Sequence, residues 1–108
     1  MSYSLGEIVL VKFPFTNLLQ SKKRPVLIIK SENELGDIVC FQITSNQEQS
    51  NLLKINHDNL YNSTLTVESY VKYDKCFTIN SSIIDKKIAT ANEKFLTILK
   101  EKFCNEIF

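Results

Sequence analysis

The sequence holds only two glycines, one histidine and one arginine among its 108 residues. Two glycines cannot build a Gly-rich loop, which excludes the familiar phosphate-cradling motifs. The three cysteines, Cys40, Cys76 and Cys104, are odd in number, widely spaced and without a C-x-x-C. With His57 they make neither a zinc-binding set nor a disulfide framework. They read as free thiols in a reducing compartment, with Cys40 and Cys76 as small core residues. No carboxylate pair has catalytic spacing. A formal charge of +1 excludes the broad basic field of a nonspecific nucleic-acid binder, so any polyanion site must be local. No apolar run reaches membrane-spanning length. Residues 1–7 have neither the basic start nor the apolar stretch of a signal peptide. These absences predict a soluble, cytoplasmic protein that does not engage a membrane.

What is present is β-structure. At 44% hydrophobic residues, a single domain over residues 1–108 can bury a core without metal or disulfide staples. Strands are predicted over 8–13, 26–30 and 37–44, the last being the strongest β signal. Shorter ones follow over 52–55, 64–67, 69–73 and 76–79. Residues 15–23 read as a long polar loop, of the kind that is more often functional. Residues 45–50 and 57–63 read as loop and turn. The stretch 81–87 is ambiguous and includes a candidate helical turn; 88–90 is a candidate last strand. From Asn92 the period becomes helical, with Phe95, Leu99, Phe103 and Ile107 four apart. Thr90 with Glu93 fits a capping box, and Asn92 is a rival N-cap. Many short strands and one terminal helix predict a mainly β fold, a small curved sheet or barrel with the helix packed on it.

One stretch stands out for chemistry: Lys22-Lys23-Arg24-Pro25. Arg24 is the only arginine beside twelve lysines. A guanidinium can grip a phosphate with two parallel hydrogen bonds, which an ammonium does less well. Pro25 biases Arg24 toward extended backbone, projecting it from the edge of a sheet. Thr44 and Ser45 add two hydroxyls where the strongest strand ends. Plainer readings stand beside these: a surface ion pair for Arg24, β-propensity alone for Thr44. His57, in a turn, reads as a surface residue.

Residues 6–16, Gly6-Glu7-Ile8-Val9-Leu10-Val11-Lys12-Phe13-Pro14-Phe15-Thr16, followed by Lys23-Arg24-Pro25-Val26-Leu27-Ile28-Ile29, closely resemble the opening of MazF/PemK-type toxins of bacterial toxin–antitoxin systems. Gln42-Ile43-Thr44-Ser45 resembles the family's second motif, and residues 69–79 its third. The resemblance implies a small SH3-like barrel, of the type MazF shares with CcdB, with a C-terminal α-helix, usually paired as a homodimer. It implies an endoribonuclease that uses no metal or cofactor, cuts single-stranded RNA at short sequences and is neutralised by an antitoxin. Catalytic roles fall on Arg24 and Thr44, and RNA-binding roles on Phe15, Lys22, Lys23, Ser45, Lys72 and Asp74. Phe15 is placed for base stacking, with a core role as the alternative. In Lys72-Tyr73-Asp74, lysine stands where some relatives have arginine. Asp74 is one candidate general base. The loop before Arg24 lacks the glycines some relatives carry, and His57 matches no family catalytic position. Two other classes remain: a gyrase-binding toxin of the CcdB type and a non-toxic SH3-like binding module.

Overall fold

Two hydrophobic clusters, one on each face of a single antiparallel sheet, organise the chain. The computed structural model describes residues 2–12, 23–61 and 65–108. Its strands are β1 (Glu7–Lys12), β2 (Lys23–Lys30), β3 (Asp37–Thr44), β4 (Leu52–Ile55), β5 (Ser69–Asn80) and β6 (Ile84–Thr90). Helix α1 (Glu93–Glu106) follows them. The strand order is β4-β5-β3-β2-β1-β6.

Side chains alternate between the two faces along each strand. Ile8, Leu27, Phe41, Ile43 and Val71 point to one face, where Phe95 and Leu99 of α1 cover them. Val9, Val11, Val26, Ile28, Ile38 and Cys40 point to the other. Strands buried on both sides have little room for polar residues, so they read as nearly continuous apolar runs. Full burial of a side chain such as Phe95 or Leu99 contributes about 1.5–3 kcal/mol.

Beyond β4 and β6 the two ends of the sheet meet. Leu60 forms a lone antiparallel bridge with Ala91, and the Tyr61 amide donates to the Thr90 carbonyl at 2.9 Å. Asn92 donates its backbone N–H to Asn59 O and its side-chain amide to Asp58 O, each at 2.8 Å. The sheet is not closed strand to strand, but these bonds curl it into the barrel-like form expected from the sequence. The same Asn92 side chain accepts from the Phe95 amide at 2.9 Å and caps α1. Asn92 is therefore the N-cap, and Thr90 belongs to β6.

Several boundaries differ from expectation. Strand β2 begins at Lys23, so Arg24 and Pro25 lie within an interior strand rather than at a sheet edge. Pro25 is tolerated because it falls past the end of the β2–β3 ladder and pairs with Leu10 alone. Of the strand expected over 64–67, residues 65–67 are not a strand and Thr64 lies outside the described residues. Residues 69–73 and 76–79 are parts of one strand, β5, interrupted by a register shift. The ambiguous stretch splits into a short 3-10 turn, Ser81–Ile83, and the first half of β6. Pairing of Leu10 with Lys86 and Val11 with Ile84 imposes extended backbone there.

The register shift turns β5 over. Val71 and Tyr73 face the first cluster, whereas Phe77 and Ile79 face the second. This corrects the expectation for Cys76, which is exposed, while Cys40 is buried. Burial first, and the neighbouring Cys76 second, push the Cys40 thiol up to about 12. A thiol is alkylated through its thiolate. Iodoacetamide at pH 8 should therefore label Cys76 and Cys104 in the folded protein, and Cys40 only in denaturant. Intact-mass analysis checks this; labelling of Cys40 at a rate matching Cys104 would contradict the packing.

Candidate active site

The β2–β3 register pairs Val26 with Gln42. Continued toward the strand ends, it sets Arg24 beside Thr44, on the face that carries Val26, Ile28 and Cys40. Both residues line a cavity of about 390 Å³, with Lys23, Ser45, Val67 and Ser69 around them. Arg24 reaches this wall because β2 extends past the β3 ladder, and Thr44 because it is the last residue of β3.

The Thr44 hydroxyl is held in a defined role. Its oxygen accepts the Asn46 amide at 3.1 Å and, more weakly, the Gln49 side-chain amide at 3.5 Å. A hydroxyl has two acceptor lone pairs and one proton. With both lone pairs engaged, any further bond from Thr44 is a donated one. The loop making these contacts is itself tied down. Asn46 Oδ1 accepts from the Glu48 amide at 3.0 Å, and Tyr70 donates to Gln47 Oε1 at 3.3 Å. Asn51 closes the loop at φ 56°, a left-handed conformation that asparagine tolerates better than most residues.

Lys23 lines the cavity while its ammonium lies 3.1 Å from Asp85 Oδ2 on β6. Lys12, its register partner on β1, lies 4.0 Å from the other oxygen of Asp85. Lys72 and Asp74 sit apart from the cavity. Lys72 pairs with Gln42 in register and is 7% exposed. Its ammonium reaches Asp74 Oδ1 at 2.9 Å and the Ser50 carbonyl at 3.1 Å. These two residues thus face each other and the loop. Phe15 and Lys22 lie outside the described residues. His57 is exposed, with its Nε2 3.0 Å from Asp58 Oδ1, and lines a different hollow.

Sequence reasoning missed Asn46 and Gln49 on Thr44, Val67 and Ser69 in the cavity wall, and Asp85 on Lys23. Only the run of asparagine and glutamine over residues 46–51 hinted at a self-bonded loop. Among the described residues no three His, Cys, Asp or Glu side chains gather as metal ligands. A larger apolar groove of about 490 Å³ lies under α1, lined by Leu5, Phe41, Leu96 and Phe103. Its polar lining is Glu93, Thr97 and Lys100 of α1, with no arginine among them.

The profile of the PemK-like, MazF-like toxin of type II toxin–antitoxin systems matches residues 4–107. The chain belongs to this toxin family. Comparison with curated protein sequences gives no match. Among solved structures, this PemK/MazF-like chain is similar to one from a MazE–MazF complex of Deinococcus radiodurans. The two share 18% identity with a TM-score of 0.78, over 97% of this chain and 95% of that one. An endoribonuclease in complex with its cognate antitoxin, from a mycobacterial species, is 12% identical with a TM-score of 0.74, over 97% and 94%. Toxin MazF-mt6 of Mycobacterium tuberculosis is 21% identical with a TM-score of 0.69, over 92% and 93%. These likenesses fix the fold. No helix among the described residues is long and apolar enough to cross a membrane.

The Lys23–Asp85 pair gives a direct test of this wall's electrostatics. The hydrogen bond from Lys23 comes first, with Lys12 and Lys86 adding to it, and together they hold the Asp85 carboxyl below its ordinary value. A lowered folded value means that Asp85 contributes stability above its unfolded value. That contribution is lost as pH falls through the folded one. Carboxyl NMR titration should find Asp85 below the usual aspartate range, and Lys23→Ala should move it back up. An unchanged titration in the variant would show that Lys23 does not sit on Asp85 in solution.

Proposed function

We propose that this toxin is a metal-independent endoribonuclease that cuts single-stranded RNA at short recognition sequences. The observation that carries the reading is the placement of Arg24 and Thr44 side by side on one cavity wall, in a chain of the PemK/MazF-like family. In this reading the 2′-oxygen of the nucleotide before the cleavage point attacks the adjacent phosphorus. The 2′-hydroxyl passes its proton to water, the bond from phosphorus to the 5′-oxygen breaks, and that oxygen takes up a proton from water. The products are a 2′,3′-cyclic phosphate and a 5′-hydroxyl.

Charge builds on the non-bridging oxygens in the transition state. Preorganised donors aimed at that charge are the main catalytic device open to such a site. Arg24 supplies a planar fork for two of these bonds. Thr44, whose lone pairs are already engaged, supplies its proton to the same phosphate. Lys23 and Ser45 extend the wall along the RNA backbone. Phe15 and Lys22, next in sequence, complete the RNA-binding set. Lys72 and Asp74 act by holding the loop that flanks Thr44. Metal independence is supported by the chemistry of the cavity wall, whose polar side chains are a guanidinium, an ammonium and hydroxyls rather than carboxylates, imidazoles or thiols.

A homodimer, a cognate antitoxin partner and a cytoplasmic location belong to the same reading, with residues 1–108 as one domain. The antitoxin finds support in two structural relatives, a MazE–MazF complex and an endoribonuclease solved with its cognate antitoxin.

Arg24→Lys is the sharpest test. It keeps the charge and removes the fork. Cleavage of single-stranded RNA should fall roughly 100-fold or more, the scale of losing one preorganised transition-state donor. RNA binding should weaken far less, because the lost bond strengthens only as charge develops. Thr44→Val should also slow cleavage while the fold survives, as a strand accepts valine readily. Wild-type protein should cleave in EDTA. Cleavage that requires magnesium, or wild-type rates in both variants, would refute the mechanism. Growth arrest without RNA loss would favour the gyrase-binding class instead.

A further inference from the structure

The β3–β5 ladder skips a step between Phe41 and Gln42. Phe41 pairs with Cys76, and Gln42 pairs with Lys72. Tyr73, Asp74 and Lys75 are left between them without a register partner on β3. Bulges of this kind lose ladder hydrogen bonds and need other anchors. On the β4 side the Tyr73 backbone is held by Asn51, and a second anchor is the Tyr73 side chain. It is 2% exposed, and its hydroxyl donates to Glu106 Oε1, in the last turn of α1, at 2.6 Å.

Glu106 is oddly placed for a helix residue. A carboxylate at a helix carboxyl end meets the negative pole of the helix dipole. Lys102 offsets this through an i,i+4 contact at 3.5 Å. The bond from Tyr73 gives the carboxylate a use. That bond, then Lys102, holds Glu106 below its ordinary value, so it remains an acceptor.

From Tyr73 the contacts run on to the candidate site. The Tyr73 amide donates to Asn51 O at 3.1 Å, and neighbouring Lys72 donates to Ser50 O at 3.1 Å. Ser50 and Asn51 end the loop whose Asn46 and Gln49 hold the Thr44 oxygen. We propose that Glu106 is a positioning residue: through Tyr73 it fixes the loop over residues 45–51 and thereby the direction of the Thr44 hydroxyl. The catalytic half of this inference rests on the endoribonuclease reading; the mechanical half does not.

Three variants test it: Glu106→Ala, Glu106→Gln and Tyr73→Phe. The first readout is amide hydrogen exchange on the whole chain without RNA. Glu106→Ala and Tyr73→Phe should speed exchange at Asn46, Glu48 and Tyr73 about tenfold or more, while Val9 and Leu27 keep their protection, as expected for local rather than global opening. Glu106→Gln still accepts the tyrosine proton and should restore wild-type exchange. The second readout is kinetics on single-stranded RNA. In Glu106→Ala kcat should fall about tenfold to 100-fold through misplacement of one donor, with KM within about twofold. Glu106→Gln should recover most of it.

Unchanged exchange at Asn46 and Glu48 in Glu106→Ala would overturn the coupling. So would faster exchange spread evenly over Val9 and Leu27, which marks a merely structural anchor. Wild-type protein that cleaves no RNA would refute the proposed function, and exchange would still decide the coupling.

Discussion

The register of β2 against β3 is the constraint on which the rest depends. Val26 opposite Gln42 and Ile28 opposite Cys40 set which side chains enter each cluster. A strand slipped by one residue would exchange its two faces. Leu27 would then leave the cluster under α1, and Arg24 would leave the face it shares with Thr44. The candidate site thus inherits its geometry from apolar packing several residues away. No local feature of the Arg24 stretch could supply that precision, because a guanidinium on a free loop has no fixed neighbour.

Burial on both faces of one sheet also accounts for the fold's persistence at 12–21% identity to its structural relatives. Such a sheet asks each strand position for an apolar side chain of about the right volume, and many sequences satisfy that. Positive-φ sites are narrower. Gly6 bends the chain at φ 93°, and a Cβ there would meet Leu96 Cδ1 at 3.2 Å. Gly36, at φ 84°, turns β2 into β3 with help from Asn33, whose side chain accepts the Leu35 and Asp37 amides. Both glycines in the sequence are thus spent on turns.

The sequence made the strong strands legible because their signal is local. Residues 37–44 and 52–55 were placed to the residue, and the helix start was narrowed to two candidate caps, Thr90 and Asn92, of which Asn92 is the one used. Where pairing overrules propensity, the reading failed. Lys86 and Lys87 lie extended because β1 needs a second partner, which no window around them reveals. A twelve-residue β5 looked like two strands because its register shift turns it over midway. Cys76 was misjudged for the same reason. Arg24 and Thr44 were legible as residue types in motifs. Their adjacency was not, nor was the Asn46 and Gln49 contact on Thr44, since neither leaves a periodic trace. Phe15 and Lys22 fall outside the described residues.

The pairing of β1 with β6 has a kinetic side. Glu7 lies opposite Thr90, so the first strand waits for one of the last before its outer edge is covered. Contacts that distant in sequence form late, because loop closure must precede them. Until then an Ile-Val-Leu-Val edge stands open, and such edges invite pairing with other chains. The same pairing that completes the barrel-like sheet therefore sets the interval during which a newly made chain is most prone to aggregate.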